Sequence, residues 1–450
     1  MVFLRSLLAL ALCVLMLWPG PAQAAPGPVL YAEAAILIDG ETGQVLYEKN
    51  ARHQMEPASL TKILTCLMAM EEAAPEERVT VPEEATWLMS DAAAIGLVPG
   101  ERLTMAQLLY AMMLPSANDA ASAVGIHLGG SLSGFSDKMN RRLAELGLKD
   151  SHFENPHGLP ARNHYATAYD LAQVTREALK HPEFLDYAGS SSYFIPAGPE
   201  NRGYSFSHLN RTLRRGSEFY DARAIAGKTG WTESAGNCLM TVGEENGRRL
   251  IAVVLRGDND GIGGGAYRDT RALFDYGFSS FRPVTVPLPG EAFLLTLGEG
   301  GECQLSGPGG ELTFLLPQEL ELELEDCTLE ISREPERVAF GEDAFWGEVV
   351  LRDSSGAEVL TAARLPLEGH FLNPAPLGPG REVYVPVEER RVDRGDIPLA
   401  LGGSGLAVLF LALVNRKKRR EAEEKERFWA ELDRREGDIF AKIKEEEGLL

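Results

Sequence analysis

The sequence predicts an α/β (α+β) protein: an antiparallel sheet flanked by helices, then a small β-sandwich domain and a C-terminal transmembrane helix. Three observations lead to this prediction. Strand-like alternation marks both ends of residues 25–283, with a long helical region between them. Short alternating runs separated by turn residues fill residues 284–386. An apolar segment at residues 397–414 contains no charged side chain.

The N-terminus is typical of a secretory signal peptide. Arg5 supplies the positive charge, residues 7–18 form the apolar core, and Ala22-Gln23-Ala24 offers a cleavage site between small residues. We therefore expect residues 1–24 to be a removed signal. A retained membrane anchor is the competing interpretation.

Within residues 25–283, hydrophobic periodicity predicts the elements in chain order. A hairpin is expected first, because two alternating runs surround the turn at residues 40–43. Helices follow, and the chain then returns to strands, one of which carries Lys228. The predicted elements are strands at 35–39, 44–48, 238–242 and 249–255, a helical region over 59–176 and a closing helix at 268–276.

The C-terminal part is predicted to contain a β-domain, a linker, a membrane span and a tail. Residues 284–386 are interpreted as a spacer or wall-interaction module, and the charged residues 387–396 as a linker. Five consecutive basic residues, 416–420, follow the apolar segment, so its C-terminal end is expected in the cytoplasm. Residues 415–450 are then a cytoplasmic tail, and the catalytic domain is extracellular.

Charge and cysteine content narrow the function classes. The net charge of −22 lies almost wholly between the signal and the membrane segment, because residues 415–450 are balanced. A strongly acidic surface argues against nucleic-acid binding and against electrostatic attachment to an anionic wall. The few cysteines do not form a disulfide framework, and whether Cys303 and Cys327 pair stays open.

Ser59-Leu60-Thr61-Lys62 is the most informative stretch for chemistry. A serine hydroxyl is a weak nucleophile at neutral pH and needs a base within hydrogen-bond reach. Residues three apart lie on one face of a helix, and an apolar run follows this stretch. Ser59 and Lys62 are therefore predicted to project together from the start of a buried helix.

Two further elements follow in chain order: Ser116-Ala117-Asn118 and Lys228-Thr229-Gly230. In isolation the first is more typical of a helix N-cap and the second of a strand end. The ordered trio on a helix, a loop and a strand instead indicates catalysis. Three nearby histidines have no metal-ligand spacing, and this serine chemistry needs neither metal nor cofactor; they are His152, His157 and His164.

These residues resemble the low-molecular-mass penicillin-binding proteins, specifically the serine-type D-alanyl-D-alanine carboxypeptidases. The resemblance covers roughly residues 30–280 and includes the stretches 153–159, 166–172 and 231–237. It implies a β-lactamase/transpeptidase-like fold for the first domain. It also implies a peptidoglycan stem peptide as substrate, and acylation by β-lactam antibiotics.

The resemblance also implies catalytic roles for four residues. Ser59 attacks the carbonyl of the penultimate D-alanine and forms an acyl-enzyme, and Lys62 accepts the serine proton. Ser116 relays a proton to the departing D-alanine nitrogen. Asn118 orients Lys62 and hydrogen-bonds the substrate backbone.

Four more residues are implied in substrate binding. Lys228 supplies positive charge near the terminal carboxylate, and Thr229 offers that carboxylate a hydroxyl. Gly230 lets the peptide lie against the strand edge. Backbone N–H groups of Ser59 and Trp231 form the oxyanion hole.

Other functions stay open at this point. A class A β-lactamase shares the trio and needs a carboxylate for deacylation, for which Glu154 stands at a plausible distance; the residues after it lack the expected pattern. An endopeptidase that cuts cross-links cleaves after the same D-alanine. A non-catalytic β-lactam sensor would signal through the cytoplasmic tail.

Overall fold

The computed structural model describes residues 27–88, 92–257, 264–288, 290–296, 302–320, 327–334, 337–340 and 345–373, all within one compact unit. The helices are α1 (Lys62–Glu72), α2 (Met105–Met113), α3 (Asn118–Gly129), α4 (Leu132–Glu145), α5 (Ala168–Ala178), α6 (Phe184–Gly189) and α7 (Gly265–Ser280). Short 3₁₀ turns span Ala58–Thr61 and Glu83–Thr86.

The strands of the first 260 residues are β1 (Ala34–Asp39), β2 (Val45–Lys49), β3 (Arg78–Thr80), β4 (Arg102–Thr104), β5 (Ser192–Ile195), β6 (Tyr204–Ser207), β7 (Ala224–Thr232), β8 (Gly236–Glu245) and β9 (Arg248–Leu255). Those that follow are β10 (Phe281–Pro287), β11 (Ala292–Thr296), β12 (Glu302–Ser306), β13 (Glu311–Pro317), β14 (Thr328–Ile331), β15 (Val338–Phe340), β16 (Phe345–Arg352) and β17 (Glu358–Asn373).

The main sheet is antiparallel and has the strand order β2-β1-β9-β8-β7, so β7 forms one edge. The first and last strands of this sheet in chain order are neighbours, because β1 pairs with β9 along its whole length. The predicted antiparallel sheet flanked by helices is confirmed. The predicted hairpins at residues 35–48 and 238–255 lie within one residue of β1–β2 and inside β8–β9.

Both faces of the main sheet are buried, and alternate residues supply the two faces. Met240 and Val242 of β8 pack in the larger core with α1 and α5. Leu239 of the same strand belongs to a second core, which α7 covers with Leu273 and Phe274. The sheet is thus the middle layer between two helical layers.

Helix α1 runs through the centre of the larger core. Every residue from Lys62 to Ala69 is buried, and six of these eight side chains are apolar. A helix that is hydrophobic on all sides belongs in a core rather than on a surface. The position of Lys62 at the first residue therefore places an amine inside the protein.

The prediction of one helical region over residues 59–176 was too coarse. Short strands β3 and β4 pair with each other between α1 and α2. Residues 146–167 form an irregular segment that crosses to α1, between α4 and α5. Three-residue strands give too little alternation to be recognised in a sequence.

Residues 281–373 are strands in the part of the chain that the structure describes. Strands β10 and β13 form one two-stranded sheet, and a larger sheet has the order β11-β12-β17-β16-β14, with β15 beside β16. Phe314, Val349 and Leu351 are among the residues of their common core. Cys303 is a buried thiol in this core, and its Sγ donates to the carbonyl of Leu295 at 3.8 Å rather than forming a disulfide.

Several predicted segments lie outside the described residues: the signal at 1–24, the linker at 387–396, the membrane span at 397–414 and the tail at 415–450. Among the residues that the structure does describe, no helix has both the length and the apolar character of a membrane span.

Candidate active site

Ser59 lies in the 3₁₀ turn that leads into α1, and it is half-buried. The turn Ala58–Thr61 places Ser59 and Lys62 on the same side, and Lys62 Nζ lies 2.9 Å from Ser59 Oγ. The predicted serine–lysine pair is therefore at hydrogen-bond distance.

Lys62 is fully buried and its Nζ has three oxygen neighbours. Besides Ser59 Oγ, it donates to Asn118 Oδ1 at 2.6 Å and to the carbonyl of His157 at 2.7 Å. Burial lowers the pKa of Lys62 well below its usual value, the charge of Lys228 lowers it further, and Asp119 opposes both. A lowered pKa increases the share of the neutral amine, which is the form that accepts a proton.

Ser116 and Asn118 come from the junction of α2 and α3. Ser116 has a positive φ of 66°, an unusual conformation for a residue with a side chain. Such conformations recur at functional sites, where the surrounding structure holds them. Asn118 is the first residue of α3, and its N–H donates to the carbonyl of Ala93 at 2.7 Å.

Lys228 approaches the same place from the edge strand β7. Its Nζ donates to Ser116 Oγ at 2.9 Å and to the carbonyl of Thr229 at 2.7 Å. Burial lowers the pKa of Lys228 to about 7. Two serine–lysine pairs, Ser59–Lys62 and Ser116–Lys228, thus lie near each other at the junction of a helix, a loop and a strand.

The remaining three predicted residues continue along β7. Gly230 packs against the nucleophile turn, because a Cβ there would lie 3.1 Å from the backbone nitrogen of Ser59. Thr229 is half-buried, and Trp231 is 65% exposed. The edge of β7 is therefore an open strand beside Ser59 to which an extended peptide can add.

Sequence reasoning missed the part played by the segment around His157. Its carbonyl holds Lys62, and the carbonyl of Pro156 accepts from Thr65 Oγ1 of α1 at 2.7 Å. Asn155 Oδ1 accepts from the backbone N–H groups of His157 and Gly158, which closes the turn. The only signal in the sequence was the run of turn-forming residues Asn-Pro-His-Gly, because a backbone carbonyl acts through position and not through residue type.

Glu154 does not join the cluster. Its two carboxylate oxygens accept from the N–H and the side-chain amide of Asn163, at 3.2 and 3.3 Å, in an exposed turn. His164 and His157 serve as internal hydrogen-bond partners of backbone groups instead. Glu154 therefore stands apart from the Ser59–Lys62 pair, whereas His157 reaches that pair through its backbone carbonyl.

An antiparallel sheet flanked by helices, with a lysine-paired serine beside an open edge strand, defines a penicillin-interacting serine enzyme fold. A family model described as D-alanyl-D-alanine carboxypeptidase matches residues 21–259, more than half of the chain. The chain belongs to this family, as its motifs predicted.

Individual relatives agree with this assignment. The chain is 34% identical over 230 residues to the D-alanyl-D-alanine carboxypeptidase DacF of Bacillus subtilis, which covers 50% of this chain and 57% of the relative. It is 32% identical over 262 residues to DacB2 of Mycobacterium tuberculosis, covering 58% and 86%. The match thus spans little more than half of the Bacillus protein.

Among solved structures, penicillin-binding protein 6B of Escherichia coli is similar with a TM-score of 0.56 and 27% identity, covering 77% of this chain and 98% of that one. A D-alanyl-D-alanine carboxypeptidase of Mycobacterium tuberculosis is similar with a TM-score of 0.53 and 30% identity, covering 58% and 95%. These likenesses confirm the transpeptidase-like fold.

Proposed function

We propose that this protein hydrolyses the terminal D-Ala-D-Ala bond of peptidoglycan stem pentapeptides through a serine acyl-enzyme, and that β-lactams acylate the same serine. The observation that carries the proposal is the position of Lys62 Nζ, fully buried and 2.9 Å from Ser59 Oγ. A buried amine with a lowered pKa is a general base suited to activating a serine at neutral pH.

In the acylation step, Ser59 Oγ attacks the carbonyl carbon of the penultimate D-alanine while its proton passes to neutral Lys62. Asn118 Oδ1 and the His157 carbonyl hold Lys62 Nζ in place for this transfer. The C–N bond then breaks, and Ser116 relays a proton to the departing D-alanine nitrogen. Lys228, 2.9 Å from Ser116 Oγ, favours proton release from that hydroxyl. Water then hydrolyses the ester.

The substrate is proposed to lie along the edge of β7. Its terminal carboxylate meets Lys228 and the Thr229 hydroxyl, and its backbone passes Gly230, where a side chain would crowd the Ser59 backbone. The N–H groups of Ser59 and Trp231 point to the developing oxyanion. Loss of one such donor costs about a hundred- to a thousand-fold in rate.

The β-lactamase alternative lacks support in the geometry, because both Glu154 oxygens are engaged by Asn163. Fast turnover of penicillin by the class A route needs a carboxylate that activates the deacylating water. A DD-endopeptidase activity would use the same cluster on a cross-linked substrate. A sensor acylated by β-lactams would need the same serine–lysine pair, so release of D-alanine is the observation that distinguishes the enzyme from a sensor.

The first experiment is incubation of the purified protein with a muropeptide that ends in D-Ala-D-Ala, and separately with penicillin. Release of one D-alanine, together with a long-lived penicillin adduct on Ser59, supports the carboxypeptidase. The Ser59→Ala variant should fold normally and release none. Rapid penicillin turnover without D-alanine release would contradict the proposal and make the protein a β-lactamase.

We also propose that residues 397–414 anchor the protein in the cell membrane, with the catalytic region outside and the C-terminus in the cytoplasm. The support is the uncharged apolar run followed at once by five basic residues. A chain cut after Asp396 should be released into the soluble fraction and keep its activity. Continued sedimentation of that shorter chain with membranes would refute the anchor.

A further inference from the structure

The residue immediately before Ser59, Ala58, has an unusual backbone conformation. Ala58 has a positive φ of 47°, although it carries a Cβ and is fully buried. L-residues with a side chain avoid this region, so neighbouring groups must hold it. The peptide unit between Ala58 and Ser59 consists of the Ala58 carbonyl and the Ser59 N–H, and this N–H is the proposed oxyanion donor.

A buried chain of hydrogen bonds ends on the carbonyl of Ala58. Thr61 Oγ1 donates to that carbonyl at 2.9 Å, and the same hydroxyl lies 2.8 Å from His164 Nε2. His164 Nδ1 accepts the backbone N–H of Glu154 at 3.1 Å. Thr61 is fully buried and His164 is 3% exposed, so water does not substitute for either partner.

The backbone N–H of Glu154 determines which group donates in every other hydrogen bond of this chain. A backbone N–H can only donate, so Nδ1 of His164 carries no proton and the neutral ring has its proton on Nε2. The Thr61 hydroxyl then accepts a hydrogen bond from His164 Nε2 and donates its own to the Ala58 carbonyl. Burial lowers the pKa of His164 to about 3, which keeps the ring in this neutral form.

The Ala58 carbonyl and the Ser59 N–H belong to one planar trans peptide unit and point in opposite directions. Fixing the oxygen therefore fixes the direction of the N–H. Ser59 lies in the first turn of its helical segment, where N–H groups have no partner within the helix. The Ser59 nitrogen lies beside Gly230 of the edge strand, because a Cβ on Gly230 would be 3.1 Å from it.

We propose that Thr61 and His164 are positioning residues that lock the plane of the Ala58–Ser59 peptide and thereby aim the Ser59 N–H at the substrate oxyanion. This inference rests on the proposed function, because it assigns an orienting mechanism to the same site. Neither side chain touches the substrate; both act through the carbonyl of Ala58. Their effect should therefore appear in the transition state and not in substrate binding.

The test compares Thr61→Val, which keeps the shape and removes the hydroxyl, with Thr61→Ser, which keeps the hydroxyl. In the full-length protein, Thr61→Val should lower kcat for D-alanine release by about tenfold or more, with KM nearly unchanged, since a misdirected donor loses part of the oxyanion contribution. Affinity for a peptidyl boronic acid, whose tetrahedral adduct places an oxygen at this position, should fall in parallel. Thr61→Ser should restore both.

His164→Phe is the second variant, because it removes the donor from Thr61 without changing that residue. It should show the same fall in kcat and in boronate affinity, and thermal unfolding establishes that each variant is folded. Wild-type kcat and boronate affinity in folded Thr61→Val and His164→Phe would overturn the inference, as would a loss that Thr61→Ser fails to restore. Absence of D-alanine release by the wild-type protein would instead refute the proposed function.

Discussion

At the scale of single residues, the proposed mechanism requires two buried lysines, Lys62 and Lys228, in different protonation states. Lys62 serves as a base only when neutral, whereas Lys228 attracts a carboxylate only when charged. Burial lowers the pKa of both, and the positive charge of Lys228 further lowers that of Lys62. The charge needed for binding therefore also favours the neutral amine needed for catalysis.

This arrangement predicts a bell-shaped pH dependence of kcat/KM, which reports the free enzyme. The rate should rise as Lys62 loses its proton, and fall as pH increases through the pKa of Lys228, about 7. A bound carboxylate favours the charged form of Lys228, so the alkaline fall in kcat should lie at higher pH. A substrate with a neutral C-terminal amide is the control and should show a much smaller alkaline fall in kcat/KM. An identical alkaline limb with both substrates would contradict this role of Lys228.

The lowered pKa values of the same two lysines also determine whether their contribution to folding stability rises or falls with pH. Their pKa values are lower in the folded protein than in the unfolded chain, so between the two values the unfolded chain binds more protons. Stability rises with pH where the unfolded state holds more protons. For Lys228 this interval runs from about pH 7 to the model-peptide value of about 10.4.

At the scale of elements, the irregular segment around Gly158 packs against the turn that leads into α1. Gly158 has φ +90°, and a Cβ there would lie 1.9 Å from the carbonyl oxygen of Ala58. The neighbouring carbonyl of His157 holds Lys62. The turn at residues 157–158 thus contacts both the Ala58–Ser59 peptide and the amine of Lys62.

We predict that Gly158→Ala disrupts acylation more than stability alone explains. The added methyl must displace the Ala58 peptide or the His157 carbonyl, and a misplacement of about 1 Å can cost about a hundredfold in rate. The positive φ adds more than about 1 kcal/mol of destabilisation. Acylation by a fluorescent penicillin and thermal unfolding measure the two effects.

Gly216→Ala is the matched control, because Gly216 also has a positive φ, 87°, but nothing lies within 4 Å of its Cβ position. Gly216→Ala should lower the free energy of unfolding by a similar amount through its positive φ, and it should keep the wild-type acylation rate. Equal acylation rates in the two variants would show that the turn at Gly158 does not position the site.

These elements also show how far the sequence alone could lead. The Ser59–Lys62 pair was predictable because a spacing of three residues is local to one helical turn. The meeting of Lys228 with Ser116 was expected only through family resemblance, since it depends on pairing across 112 residues. The supports of the site were not predictable, because the carbonyls of Ala58 and His157 act by position and the strain at Ser116 leaves no mark on residue type.

At the scale of the whole molecule, the β-rich region is joined to the catalytic region by buried polar contacts. Gln44 makes two hydrogen bonds of 2.7 Å with the backbone of Leu315. Arg364 donates to the carbonyls of Leu146 and Gly147, and its guanidinium lies 4.8 Å from the ring centre of Trp346. Gln44 and Arg364 are buried at this contact, so unfolding of either region removes their hydrogen-bond partners in the other.

The two regions are therefore expected to unfold together, in one thermal transition of the wild-type protein. Arg364→Leu should lower the temperature of that transition, because it removes the donor from the buried carbonyl of Leu146, at about 1–3 kcal/mol, and from the part-buried carbonyl of Gly147. Penicillin acylation at 20 °C should stay at the wild-type rate, since Arg364 contacts none of the site residues. Differential scanning calorimetry and the acylation assay measure the two outcomes.

Arg333→Leu is the control within the same β-rich region, because Arg333 is exposed and its guanidinium lies over the ring of Phe293, at 5.7 Å. A surface change of this kind usually alters stability by less than about 0.5 kcal/mol. If the wild-type protein instead unfolds in two separate transitions, and Arg364→Leu shifts neither of them, the polar contacts do not couple the regions. The β-rich part would then be an independent domain, with its boundary where the composition changes near residue 284.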